Sequence, residues 1–164
     1  MKLKSKTGMR GMVNIYSLPP DFTYEDFKKC DKEKYLVDRG ENLVVDMGLR
    51  AILNLMTGQS TSYFNYCGVG SGTTAAAADD TDIETAIGSR VAVNDSWRGG
   101  LSGYWYTFFD KNTCNGTWTE SVIANASSGG DILCRRKFIS SFVKSTSNAG
   151  VVEWVITATG TADS

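Results

Sequence analysis

The chain has 164 residues with 17 Lys and Arg against 18 Asp and Glu, a formal net charge of -1. That balance provides no global basic field for nucleic acid or an anionic membrane, and the length suits one domain with a real core. No histidine is present, which excludes Ser-His and Cys-His nucleophile systems outright.

Residues 1–41 hold nine of the Lys and Arg and both prolines, Pro19 and Pro20. With few apolar residues of its own, this stretch is read as an extended N-terminal arm. The arm lies either on a neighbouring subunit or back on its own domain, residues 42–164. MKLKSKTGMRGMVNIYS lacks the continuous apolar run of a secretory leader, so synthesis in a cytoplasm is expected. The Pro-Pro pair fixes an extended entry, and DFTYEDFKK after it reads as a short helix capped by Asp21 or Thr23. Pro19, Pro20, Phe22, Tyr24 and Phe27 are the arm's candidate interface residues.

NLVVDMGLRAILNLM, residues 42–56, is apolar almost all round, as expected of an element buried on most sides. Asp46 is placed as the cap of a helix whose Leu49, Ile52, Leu53 and Met56 share one face. Gly58 is its stop, and LVV before it suits a short strand.

From about residue 63 the period shortens to two. YFNYCGV, RVAVN, LSGYWYTFF, GTWTESVIA, DILCRRKFI and GVVEWVITATG read as strands separated by Asn, Ser and Gly clusters. Short strands at regular spacing predict a mainly β fold, an antiparallel sandwich or jelly roll with one or two short helices. In the last strand Val152, Trp154 and Ile156 line one face and Glu153 the other.

GVGSGTT, residues 68–74, resembles a phosphate loop at first sight. Its spacing is G-x-G-x-G, the Walker lysine is absent and acids follow, so it is read as a strand exit. There Gly68, Gly70 and Gly72 serve a positive φ or a close backbone approach, with Asp80 and Thr81 behind them. Asp79, Asp80, Asp82 and Glu84 fail the calcium-loop pattern and form a solvated acidic loop. Paired carboxylates for glycoside chemistry, Glu120 with Glu153 or Asp110, are permitted by the sequence and singled out by nothing in it. Cys30, Cys67, Cys114 and Cys134 stand singly and read as free thiols; no cofactor or metal is expected. Arg135, Arg136 and Lys137 inside a strand pattern suggest a solvated edge or an interface stripe. Trp97, Trp105 and Trp118 are the candidates for stacking on a sugar.

The order of motifs resembles small structural proteins of tailed bacteriophages, those of head, neck and tail. The series is Asn42, Gly48 and Gly58; Gly68, Gly70 and Gly72; Asp80-Thr81 and Arg90; Trp118-Thr119-Glu120; LCRRKF at 133–138; and VVEWVI at 151–156. It covers residues 42–158. Two departures are Glu120-Ser121-Val122, where glutamate, valine and glycine are usual, and alanine in place of a proline in the small-residue stretch. The resemblance implies a β-sandwich virion component without catalytic residues, made in the bacterial host. Its partners would be other virion proteins and copies of itself, as a trimer or ring, with no nucleic acid and no membrane. It would serve as a collar, tail, fibre-adaptor or capsid-decoration element. The competing expectation is a glycan-binding module that reads host surface sugars.

Overall fold

A computed structural model describes residues 5–162; residues 1–4 of the expected arm lie outside the described residues. Nine strands form one antiparallel sheet: β1 (Ser5–Leu18), β2 (Leu36–Val44), β3 (Tyr66–Gly70), β4 (Val91–Ala92), β5 (Asp95–Gly99), β6 (Ser102–Phe109), β7 (Gly116–Ala124), β8 (Ile132–Lys144) and β9 (Ala149–Ala162). Their order is β4-β3-β7-β8-β2-β1-β9-β6-β5. Two helices accompany them, α1 (Tyr24–Lys29) and α2 (Asp46–Met56).

The sheet curls because two stretches of chain change partners part-way. Residues 36–42 of β2 pair with β1, whereas Leu43 and Val44 pair with β8. Residues 91–99 do the same at the far side: β4 pairs with β3 and β5 with β6, and between them the Asn94 amide donates to the Tyr106 carbonyl at 2.8 Å. The two ends of the strand order are thus adjacent in the chain. RVAVN is accordingly a two-residue strand that runs on into DSWRG, a strand the alternation did not announce.

Between the arms of the curl lies the main core. Val13 and Ile15 of β1, Val152, Trp154 and Ile156 of β9, and Phe109 of β6 meet Cys67, Val69, Trp118, Ile123 and Phe142 from the other arm. Trp118 spans the gap, with ring centroids 4.9 Å from Phe109 and 5.1 Å from Phe142. Burying such rings contributes a large share of the apolar driving force.

The expectation of an arm is corrected. β1 lies inside the sheet, in register with β9 from Ser5–Ala162 to Leu18–Ala149 and with β2 on its other side. Val13 and Ile15 face the main core, while Tyr16 and Leu18 on the opposite face build a second one with Phe27, Ala149 and Val151. The polar composition of residues 1–41 hid this because only alternate residues of β1 need be apolar. The connection after Pro19-Pro20 crosses the outer face of β1, β9 and β6. Its helix α1 begins at Thr23, whose side chain accepts from the Asp26 amide while Asp26 accepts from the Thr23 amide.

The outer face of β7 and β8 is covered as well. Residues 71–90 run over it, with Ile83 packed on Val122, Ala124 and Ile132.

α2 differs from its expected orientation. It packs through its small residues, Gly48 and Ala51, and a Cβ on Gly48 would sit 2.2 Å from the Leu133 carbonyl oxygen. Glycine thus lets the helix touch the backbone of β8. Leu49, Leu53 and Met56 consequently face solvent; Met56 is 77% exposed. Asp46 sits in the first turn rather than at the cap, which is Val45, and Gly58 has φ +72 as the expected stop.

Candidate functional site

The glycine loop does cradle an anion, and the anion is a side chain of the same protein. Glu120 on β7 is fully buried. Its Oε1 accepts from the amides of Gly72 and Thr85, both at 2.8 Å, and its Oε2 from the Glu84 amide at 3.0 Å and Arg135 Nε at 2.9 Å. A Cβ at Gly70 or Gly72 would fall 2.6 or 2.4 Å from Glu120 Oε1. Close approach therefore accounts for both glycines. None of Gly68, Gly70 and Gly72 has positive φ, so that half of the expectation falls away.

Arg135 and Arg136 are corrected from a solvated stripe to buried anchors, 1% and 2% exposed, while Lys137 is exposed. Adjacent strand residues point to opposite faces. Arg135 turns to the loop, pairing with Asp80 at 3.0 Å, Glu84 at 3.3 Å and Glu120 at 2.9 Å and donating to the Thr74 carbonyl. Burial works against its charge, but Asp80 and Glu120 outweigh it and hold the guanidinium above its ordinary value. Arg136 donates to the Val13 carbonyl at 2.9 Å and faces Asp38. Burial lowers its affinity for the proton, against the pull of Asp38. The acidic loop is thus tied down: Asp80 and Glu84 belong to Arg135, Asp82 to Arg90 at 2.9 Å. Thr81 has no side-chain hydrogen-bond partner there among the described residues. Among the described residues no cluster of three or more His, Cys, Asp or Glu is arranged to hold a metal ion.

Glu120 is engaged with Arg135, and Glu153 lies under α1 in a different network. Asn14 Nδ2 donates to Glu153 Oε1 at 2.5 Å and the Tyr16 hydroxyl at 3.0 Å. Burial, then the neighbouring carboxylate, pushes the Tyr16 and Tyr106 phenols above their usual range. Phe27 is fully buried there, against Tyr16 and Tyr106, and is no surface residue; Pro19 is exposed, and Pro20, Phe22 and Tyr24 are half-buried.

The three tryptophans separate. Trp118 is fully buried with its Nε1 donating to the Cys114 carbonyl at 2.8 Å; Trp105 is half-buried and donates to the Phe64 carbonyl at 2.9 Å. Only Trp97 presents much ring to solvent, 47% exposed and stacked on Tyr104 with centroids 5.2 Å apart.

A groove of about 560 Å³ opens at one end of the curl. Ile52 and Leu55 of α2, Tyr63, Met9 of β1, Ala158 of β9 and the β5–β6 hairpin with Trp97 and Leu101 line it. That hairpin turns on Gly100 at φ +58, which puts Leu101, 73% exposed, at its tip. Leu49, Leu53 and Met56 continue the apolar surface along α2 at helical spacing. Beside it, among the described residues, Ser5–Arg10 pairs only with Thr157–Ala162, beyond the last β2 partner at Gly11. No single sequence signal marked this surface, because its residues come from six separated segments. No family model, no curated protein and no solved structure matches the chain.

Proposed function

We infer that the chain is a non-enzymatic structural protein of a bacteriophage virion. It oligomerises and attaches to the particle as a collar, tail, fibre-adaptor or capsid-decoration element. The observation that carries the reading is the apolar surface of the groove and α2. Monomers rarely leave contiguous leucine, methionine and tyrosine surface open, and such a patch marks a contact. A second copy is the occupant proposed, because the unpaired flanks of the β1–β9 ribbon stand beside the groove and offer main-chain partners to another strand. A strand edge of one copy seated on the groove of the next is a heterologous contact, and such contacts close as a trimer or ring. Many weak contacts then hold the particle component in place. The finer fold reading is a jelly-roll-like sandwich whose two halves are the arms of the curl.

The test is localisation in imaged particles. A ring of density at the neck, tail or capsid surface supports the reading; absence of the chain from purified particles overturns it.

Trp97 favours a second reading, a receptor-recognition module for host glycans. Its exposed ring, seated on Tyr104, has the form of a sugar platform. Trp118, fully buried, has no part in it, whereas half-buried Trp105 lines the same groove as Trp97. Acrylamide quenching of Trp97 fluorescence, relieved by host oligosaccharide, would favour this reading.

A further inference from the structure

Lys144, the last residue of β8, is 1% exposed, and among the described residues no carboxylate forms an ion pair with it. Its Nζ donates instead to Asn115 Oδ1, at 2.8 Å. A buried ammonium with only an amide for company is expensive, and the usual escape is loss of the proton. Burial lowers the Lys144 amine below its ordinary value, opposed by Asp110 and Cys114, the titratable groups that face it. The Asn115 amide is fixed from its other side, Nδ2 donating to the Lys111 carbonyl at 3.0 Å. A nucleophilic nitrogen, itself buried, and the carbonyl carbon of the exposed Asn115 are therefore held side by side.

We propose that Lys144 and Asn115 are set to close an intramolecular isopeptide bond, with Asp110 carrying the proton between them. Neutral Nζ attacks Asn115 Cγ and a C–N bond forms. The amine proton passes through Asp110 to Nδ2, the Cγ–Nδ2 bond breaks, and ammonia leaves. Amine plus primary amide becomes secondary amide plus ammonia, with no oxidant or reductant. Fixed proximity of this kind replaces a large share of the barrier to an otherwise slow exchange. Asp110 is itself held, its Oδ1 accepting from the Asn112 amide at 2.8 Å and the Thr113 hydroxyl at 2.9 Å.

The bond has a structural consequence. Lys144 is in register with Gly116, so Asn115 and Lys144 stand at the open end of the β7–β8 hairpin. The other end is closed by the chain itself at residues 125–131. A covalent link would make the hairpin a ring that cannot unzip under load and would restrict the unfolded chain.

The intact mass of the full folded chain tests this directly. The expected result is a loss of about 17 Da, one ammonia, with a branched tryptic species joining residues 112–135 to 138–164. Lys144→Arg and Asn115→Ala should each show the mass of their sequence, and Asp110→Asn should slow the reaction at least tenfold. The proposal is overturned by an unreduced mass after long incubation above neutral pH. It is equally overturned if the lost ammonia maps to a succinimide at Asn115 with Lys144 still open to trypsin. Bond closure at an undiminished rate in Asp110→Asn removes the role of Asp110.

Discussion

The amide of Gly72 donates to the buried carboxylate of Glu120 at 2.8 Å, and a Cβ on that glycine would stand 2.4 Å from the same oxygen. The glycine is there because the carboxylate is. Gly72→Ala should therefore cost about 1–3 kcal/mol, from displacement of a fully bonded buried group. Gly160→Ala, where a Cβ meets nothing, is the control. Urea unfolding of the two variants checks it; equal midpoints would contradict it.

Arg135 is the counter-charge for Glu120. Arg135→Met would leave a buried carboxylate without its cation, a loss of about 3–5 kcal/mol. Adding Glu120→Gln to that variant should recover part of the loss, since the uncompensated charge is removed. A double-mutant cycle measures the coupling, and simple additivity would sink the assignment.

Removal of residues 1–18 takes out the strand between β2 and β9 together with Val13 and Ile15 of the core. The truncated chain should lack near-ultraviolet dichroism and be digested rapidly. A truncated chain with the parent's spectrum and protease resistance would mean that these residues are dispensable to the domain.

How far the sequence carried is clearest in β9. The alternation of Val152, Trp154 and Ile156 against Glu153 was legible and holds, because a strand's period is fixed by the backbone. α1 was legible through its cap at Thr23. β1 was not: Met9, Arg10, Gly11 and Asn14 dilute its alternation, and it becomes a strand through long-range pairing with β9, a contact no local window contains. For α2 the helix was legible but its buried face was not, since Gly48 and Ala51 share that face with half-buried Ile52 and Leu55, and small residues weigh little in a hydrophobic pattern. Arg135 and Arg136 read as surface for the same reason in reverse: their partners Glu120, Asp80 and Asp38 are remote in sequence. The apolar groove, and the pairing of Lys144 with Asn115, exist only once the chain is folded.

Alkaline solution should destabilise the protein. Burial pushes the Cys67 thiol from about 9 up to about 11, and the Tyr16 and Tyr106 phenols move in the same direction. Above pH 9 the unfolded chain releases a thiol proton that the folded chain retains, so stability is full below that point and falls as pH rises. For Cys67 alone the loss is about 2–3 kcal/mol by the time the folded thiol titrates. Cys67→Ser should show a shallower fall between pH 9 and 11. An unchanged slope would assign the alkaline loss to the other groups that burial holds above their ordinary values, the tyrosines together with the Cys114 and Cys134 thiols.

Self-association through the groove and α2 is what the proposed role requires, and sedimentation equilibrium of the intact chain measures it. The expected mass is a closed multiple of 17.8 kDa, reduced to one chain by Leu53→Asp with Leu101→Asp, both exposed in the monomer, at unchanged circular dichroism. A single-chain mass for the parent protein at every concentration, or a multimer indifferent to both substitutions, would contradict it.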